Sequence, residues 1–361
     1  MAFSVYSEVC YIIYEVHMLP RRRRAQRRIV FAAMLALAIV VIEIGARIWL
    51  LLNTPEPIYT YRQHAAAYRD STYFGAAFRA EQMAWGASQH FDESGLTVST
   101  FHGQYFNHDG RIRRTVGQPA HASHTLYMIG TSTTLNGEVP DEYTIASYLQ
   151  TQLTDYKVVN LGTSGTNARQ QIVILKEQPL TTGDLVVFYG GIGDASGNLP
   201  RYPTFPQRIC ESLQNVQVGI IEAVCTLAGN AAVGTPSIDA DQIANNYRAR
   251  LQEAANWCAR HGALFFTFLQ PVLSSESLQS DEERYVWSNP KITPIEVRLT
   301  LPLGWPVLQT VTRQFPNGYD LTHILDAERH HYDIYLDFDH TTERGNQIVA
   351  AAIADHVAGA F

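Results

Sequence analysis

The feature that most constrains this chain is a run of 24 mostly apolar residues at 29–52, IVFAAMLALAIVVIEIGARIWLLL, entered through RRRRAQRR at 21–28. A helix rises about 1.5 Å per residue, so the run matches a hydrocarbon layer about 30 Å thick. Glu43 and Arg47 interrupt it four residues apart, where they can pair on one helical face. Six arginines on the leading flank are expected to hold the N-terminus in the cytoplasm and send the rest across the membrane. A buried helix of a soluble domain and a cleaved signal peptide are the rival readings. The arginine flank argues against the first, and the length and missing small-x-small site against the second. An uncleaved, single-pass anchor is therefore expected. Residues 1–17 read neither as a signal nor as a domain, and Met18 before the arginine run marks an alternative start.

Four segments follow: a basic cytoplasmic N-terminus (1–28), a transmembrane anchor (29–52), a membrane-proximal segment (53–120) and a main domain (121–361). Setting residues 1–52 aside leaves 20 basic and 31 acidic side chains. Such a body repels phosphate backbones, which excludes nucleic-acid binding. Four cysteines in 361 residues exclude a disulfide scaffold. Cys210 and Cys225 share one irregular stretch and can bridge in an oxidising compartment, whereas Cys258 reads as a buried apolar residue of a helix.

Residues 54–120 are rich in aromatics but show no sustained period. From 125 onward short apolar runs alternate with amphipathic stretches. LYMI (126–129), VVNL (158–161), LVVFY (185–189) and ALFFTFL (263–269) read as strands. Helices are expected near 144–153, 167–177, 239–261 and 342–358. Ile243, Tyr247, Leu251, Ala254 and Cys258 share one face of the third, and Ile348, Val349, Ala352 and Ile353 point inward on the fourth. Alternating strands and helices imply a parallel sheet covered on both faces, a three-layer α/β/α sandwich. Stretches near 195–237 and 272–318 break the alternation and read as insertions at the carboxyl ends of the strands, where such folds place ligands.

Three strands run into glycine-bearing turns, Gly130-Thr131-Ser132, Gly162-Thr163-Ser164-Gly165 and Gly190-Gly191-Ile192-Gly193-Asp194. Before the last helix stands Asp337-Phe338-Asp339-His340. A hydroxyl nucleophile needs a base within hydrogen-bond reach, and that base needs an acceptor to fix its tautomer. Ser132, His340 and Asp337 supply the three groups. Each signal is weak alone, since most serines after strands only turn the chain. Asp339 can replace Asp337, but a side chain adjacent to His usually points away. A metal site built from Asp337, Asp339, His340 and His330 or His331 lacks helix or hairpin ligand spacing. Gly191-x-Gly193 lacks the rest of a dinucleotide loop. His330 and His331 read as surface residues, and Glu343 and Arg344 as solvated capping.

Together these blocks, over about 124–358, resemble the SGNH (GDSL-like) hydrolase superfamily. The resemblance implies an SGNH/flavodoxin-like sandwich and Ser132 as nucleophile. It further implies His340 as base, Asp337 as orienting acid, and an oxyanion hole from the backbone N–H groups of Ser132 and Gly165. The anchor, YFNHDGRIRRT (105–115) and Gln270-Pro271 are similar to membrane-anchored members that accompany exopolysaccharide or surface-glycan genes. Ester-linked acyl groups of such a glycan, hydrolysed or transferred without metal or organic cofactor, are the implied substrate, outside a bacterial inner membrane. Two positions depart from the family. Thr131 replaces an acid, and Gly193 stands where an asparagine amide normally donates to the oxyanion. Losing one such donor costs about 10²–10³ in rate, roughly 3–4 kcal/mol. Asn167 or Asn198 can substitute; otherwise the chain is a degenerate member that binds glycan or an assembly partner.

Overall fold

A computed structural model describes residues 21–53, 58–195 and 238–359. The chain divides into two units, and the described part of the first is the helix Arg21–Asn53 alone. Its stretch Ala25–Trp49 is long and apolar enough to cross a membrane, with a mean hydropathy of 2.7. Ile29, Val30, Leu37 and Val41 are exposed along it. Arg47 donates from Nε to Glu43 Oε1 at 2.8 Å, as their spacing predicts. An anchor and a signal sequence share these properties.

The second unit is built on a nine-stranded mixed sheet with helices on both sides. Its strands are β1 His90–Phe91, β2 Thr97–His102, β3 Asn107–Gly110, β4 Ile112–Arg113, β5 His124–Gly130, β6 Tyr156–Gly162, β7 Leu185–Gly190, β8 Leu264–Leu269 and β9 Gly318–Asp320. Their order is β1-β2-β3-β4-β6-β5-β7-β8-β9. The run β6-β5-β7-β8-β9 is parallel. All six residues of β7 are buried, as are the last five of β5 and of β8, so these strands read as continuous apolar runs rather than alternating ones. Two helix groups cover the sheet. Ile145–Gln152 packs with Glu343–Ala358, and Ala240–Arg260 packs with Ala168–Lys176 and Ile295–Gln314.

The helix Ala240–Arg260 buries the five residues its periodicity indicates and stops before Gly262, at φ 71°. Asp239 caps it, accepting from Gln242 N at 2.9 Å. Glu343–Ala358 buries Val349 and Ile353 as expected, but Ile348 and Ala352 sit at the edge of that face, half-buried.

Two features depart from the sequence reading. Residues 90–113 form β1–β4, an antiparallel extension joined to the parallel core where Arg113 pairs with Asn160. The stretch 272–318 contains the helices Asp281–Ser288 and Ile295–Gln314. The second carries Pro302 and Pro306 internally. Proline removes a backbone donor and is a strong helix breaker, so local rules argue against a helix there. Burial of Leu301, Trp305, Leu308 and Val311 against the body outweighs that cost. Cys210, Cys225, Asn198, Met18 and most of the 195–237 insertion lie outside the described residues. Cys258 is buried and free.

Candidate active site

β5 ends at Gly130, where a Cβ would stand 2.1 Å from Tyr189 O, so only glycine fits between the adjoining strand ends. Thr131 then caps a one-turn helix, Ser132–Leu135, which places Ser132 half-buried at its first position. The turn after β6 needs glycine for the same reason. A Cβ on Gly162 would meet Leu135 N at 2.1 Å. Thr163 N donates to Gly130 O at 3.0 Å and Gln270 N to Gly190 O at 3.1 Å, tying the strand ends together. Gly165 follows in the left-handed region at φ 71°, exposed.

The fourth block folds around one side chain. Asp337 Oδ1 accepts from Asp339 N at 3.0 Å and His340 N at 2.7 Å. His340 Nδ1 lies 2.9 Å from both Asp337 oxygens. With Nδ1–H donating to Asp337, a neutral ring keeps Nε2 as its acceptor nitrogen. Asp339 does not point away, as its position beside His340 suggests it should. It is buried, with Oδ1 3.0 Å from the same Nδ1. The tight 335–341 loop, closed by Leu336 N donating to His340 O at 2.8 Å, turns both carboxylates inward.

A buried polar chain joins the two blocks. Thr131 Oγ1 lies 2.9 Å from Thr133 Oγ1, which donates to Gln270 Oε1 at 2.9 Å. Gln270 Nε2 in turn donates to Asp339 Oδ2 at 3.4 Å. Thr131 thus commits its hydroxyl to this chain of buried groups. A second tie runs through Asn346, whose Oδ1 accepts from Thr341 Oγ1 at 2.9 Å and from Asn136 Nδ2 at 3.2 Å. Among the described residues Ser132 and His340 share no hydrogen bond. The carboxylate opposite His340 Nε2 is Glu138, with Oε1 at 4.0 Å.

Charge is dense here. Burial opposes a proton on His340, but the carboxylates of Asp337, Asp339 and Glu138 outweigh it and raise its pKa well above the ordinary range. Burial also opposes ionisation of Asp337, but the charges of His340 and Arg62 hold its carboxyl well below the usual range. Asp339 is displaced upward, by burial and then by its Asp337 neighbour, against the pull of His340. Asp337, Asp339 and His340 are close enough for a metal. The Arg62 guanidinium, donating to Asp337 Oδ2 at 2.5 Å, already brings a positive charge to that carboxylate.

Four contributors escaped the sequence reading. Arg62 also donates to Glu138 Oε1 at 2.9 Å. Glu138 closely follows the turn that holds Ser132, and that proximity was the one available signal for it. Arg113 is fully buried in the aromatic cluster of Trp85 and Phe106, its guanidinium 5.5 and 5.0 Å from their ring centroids. It donates to Asp141 Oδ1 at 3.1 Å and to the carbonyls of Leu135, Asn136 and Val139, clamping the loop that carries Glu138. Glu343, expected to be solvated, accepts from Ser71 Oγ at 2.6 Å and Tyr73 OH at 2.7 Å. Arg344 pairs instead with Glu328 on the surface. His330 and His331 are exposed, as expected.

Gly193 lies against the second turn: a Cβ there would be 2.6 Å from Thr166 O and 3.1 Å from Asn167 Cβ. Asn167 Oδ1 caps the helix Ala168–Lys176, accepting from Arg169 N and Gln170 N.

No protein-family model matches the sequence, and no curated protein does. Solved structures do resemble it. A GDSL-family lipolytic protein from Veillonella parvula is 12% identical over 64% of this chain and 97% of its own, at a TM-score of 0.39. An acetylxylan esterase from Geobacillus stearothermophilus is 16% identical over 65% and 94%, also at 0.39. An aryl esterase from M. smegmatis is 15% identical over 66% and 99%, at 0.37. Solved structures to which this chain is similar thus include GDSL-family lipolytic proteins and esterases.

Proposed function

We propose that the protein is a membrane-anchored serine esterase or O-acyltransferase, acting outside the inner membrane on ester-linked acyl groups of a surface polysaccharide. The observation that carries the reading is the His340–Asp337 pair, oriented through Nδ1 and tied to the turn that holds Ser132. In this reading His340 Nε2 takes the Ser132 proton as Oγ attacks the ester carbonyl. The oxyanion is met by the backbone N–H groups of Ser132 and Gly165, with Gly193 where an amide donor would stand. Protonated His340 then gives its proton to the leaving alcohol. Water or a glycan hydroxyl, deprotonated by His340, releases the acyl group. This route calls for no metal or organic cofactor. The arginine flank and the apolar helix support the orientation. The surface-glycan substrate rests on the resemblance of the sequence blocks.

A second reading, a non-catalytic glycan-binding or assembly protein, is favoured by the Glu138 carboxylate facing Nε2 and by the glycine at 193. Fluorophosphonate labelling of the purified protein separates the two. Labelling that disappears in Ser132→Ala supports the enzyme, and an unlabelled wild type favours the binding protein. A reporter fused after Phe361 should be active outside the cytoplasm; cytoplasmic activity would refute both the anchor and the substrate.

A further inference from the structure

We propose that Arg62 is a positioning residue for the general base, supplying a counter-charge that eases proton loss from His340, and that Glu138 is the group it holds opposite Nε2. The proposal rests on the acyl-transfer reading above and adds to it a role for the segment that follows the apolar helix.

Three carboxylates surround one imidazole. Asp337 and Asp339 lie at Nδ1 and Glu138 lies 4.0 Å from Nε2. An uncompensated cluster of this kind pins His340 as imidazolium, and an imidazolium cannot deprotonate a serine. Burial displaces Asp339 upward, and the other two carboxylates, Asp337 and Glu138, face a cation. One guanidinium meets both. Arg62 Nη1 donates to Glu138 and Nη2 to Asp337, with the arginine side chain 14% exposed. A planar fork can span two carboxylates in this way, and a lysine ammonium cannot do so with the same geometry.

Arg62 is firmly delivered to this place. Tyr61 OH donates to Glu282 Oε1 at 2.7 Å, Tyr68 OH to Glu138 O at 2.7 Å, and Ser71 and Tyr73 to Glu343. Tyr61 and Tyr68 are themselves buried. The ionisable groups facing His340 are therefore Asp337 and Asp339 on its own loop, Glu138 beyond the nucleophile turn, and Arg62 from the membrane-proximal segment. Tyr68 and Glu343 stand one contact further out.

The test uses the full-length protein in detergent micelles, with two readouts. One is the pH dependence of kcat/KM for p-nitrophenyl acetate. The other is the titration of the His340 ring followed by nitrogen NMR. Glu138→Gln removes a carboxylate and should move the His340 titration, and the acid limb of kcat/KM, down by about one pH unit or more. Arg62→Met removes the counter-charge and should move both up, with kcat about 10-fold or more lower at neutral pH and KM within about twofold. Arg62→Lys should return the titration most of the way toward wild type. Opposite shifts in the two variants are the signature, because simple loosening of the loop moves both the same way.

Shifts in one direction, or none in either variant, overturn the proposal. If Arg62→Met does not fold, Glu138→Gln and Arg62→Lys decide the matter through the same titration. If wild type shows no Ser132-dependent hydrolysis, the enzyme reading fails. The NMR arm still judges the clamp: opposite shifts there uphold it.

Discussion

Replacing Gly193 by alanine or asparagine separates two explanations for the glycine at this position. If the residue merely lacks a useful side chain, asparagine should restore an oxyanion donor, for a gain of about 3–4 kcal/mol in transition-state binding. The packing argues otherwise. The first carbon of any side chain would stand 2.6 Å from Thr166 O, 3.1 Å from Asn167 Cβ and 3.2 Å from Thr166 C. Two of these atoms are backbone of the turn leading into the helix Ala168–Lys176. The same turn is also held by Asp194 Oδ2, which accepts from Ala168 N at 3.0 Å. Relieving the clash means displacing that turn together with Gly165, the other proposed donor. Overpacking of this kind costs about 1–3 kcal/mol. At about 2–4 °C per kcal/mol for a body of this size, Tm should fall by roughly 2–12 °C. Gly193→Ala carries the Cβ without the amide, so it should lose nearly as much stability as Gly193→Asn, and neither should gain in kcat. Calorimetry and Ser132-dependent ester hydrolysis measure the two effects independently. An alanine variant melting within 1 °C of wild type (roughly the resolution of a melt), or an asparagine variant with kcat raised tenfold, would refute the steric argument.

Arg113→Met should destabilise the protein by about 3–5 kcal/mol, because it leaves buried Asp141 without its cation and the carbonyls of Leu135 and Val139 without their donor; chemical denaturation measures this, and a loss below about 1 kcal/mol contradicts the clamp. The raised pKa of His340 implies stability that is complete below its unfolded value of about 6.5 and is lost as pH climbs through the folded value. The depressed pKa of Asp337 implies stability present above about 3.9 and lost as pH falls through its folded value. Thermal melts should therefore be highest between about pH 4 and 6.5 with respect to this pair, and His340→Asn should abolish its share of the alkaline decline; an unchanged alkaline limb would show that the ion pair does not form. Gln270→Leu, which cuts the buried chain between Thr133 and Asp339, should cost about 1–3 kcal/mol by leaving buried Asp339 Oδ2 without its amide donor, read from the same melts.

What could be read along the chain were features set by near neighbours. The apolar run of 29–52 declares its length directly. The helix Ala240–Arg260 declares its buried face through a 3.6-residue period, and the parallel strands through unbroken apolar runs. The Asp337 and His340 pair was legible because they stand three positions apart and one tight loop joins them. Tertiary structure alone decided the rest. The strands of 90–113 are two to six residues long and partly exposed, so nothing in their composition marks them until β4 pairs with β6. The helix of 295–314 exists despite two internal prolines, because its buried face is supplied by elements far away in sequence. Arg62 lies 76 residues from Glu138 and 275 from Asp337, with no local pattern linking them. A periodicity reports the environment of one element, whereas a charge balance among buried groups depends on which elements the fold brings together, and that is a property of the packed chain alone.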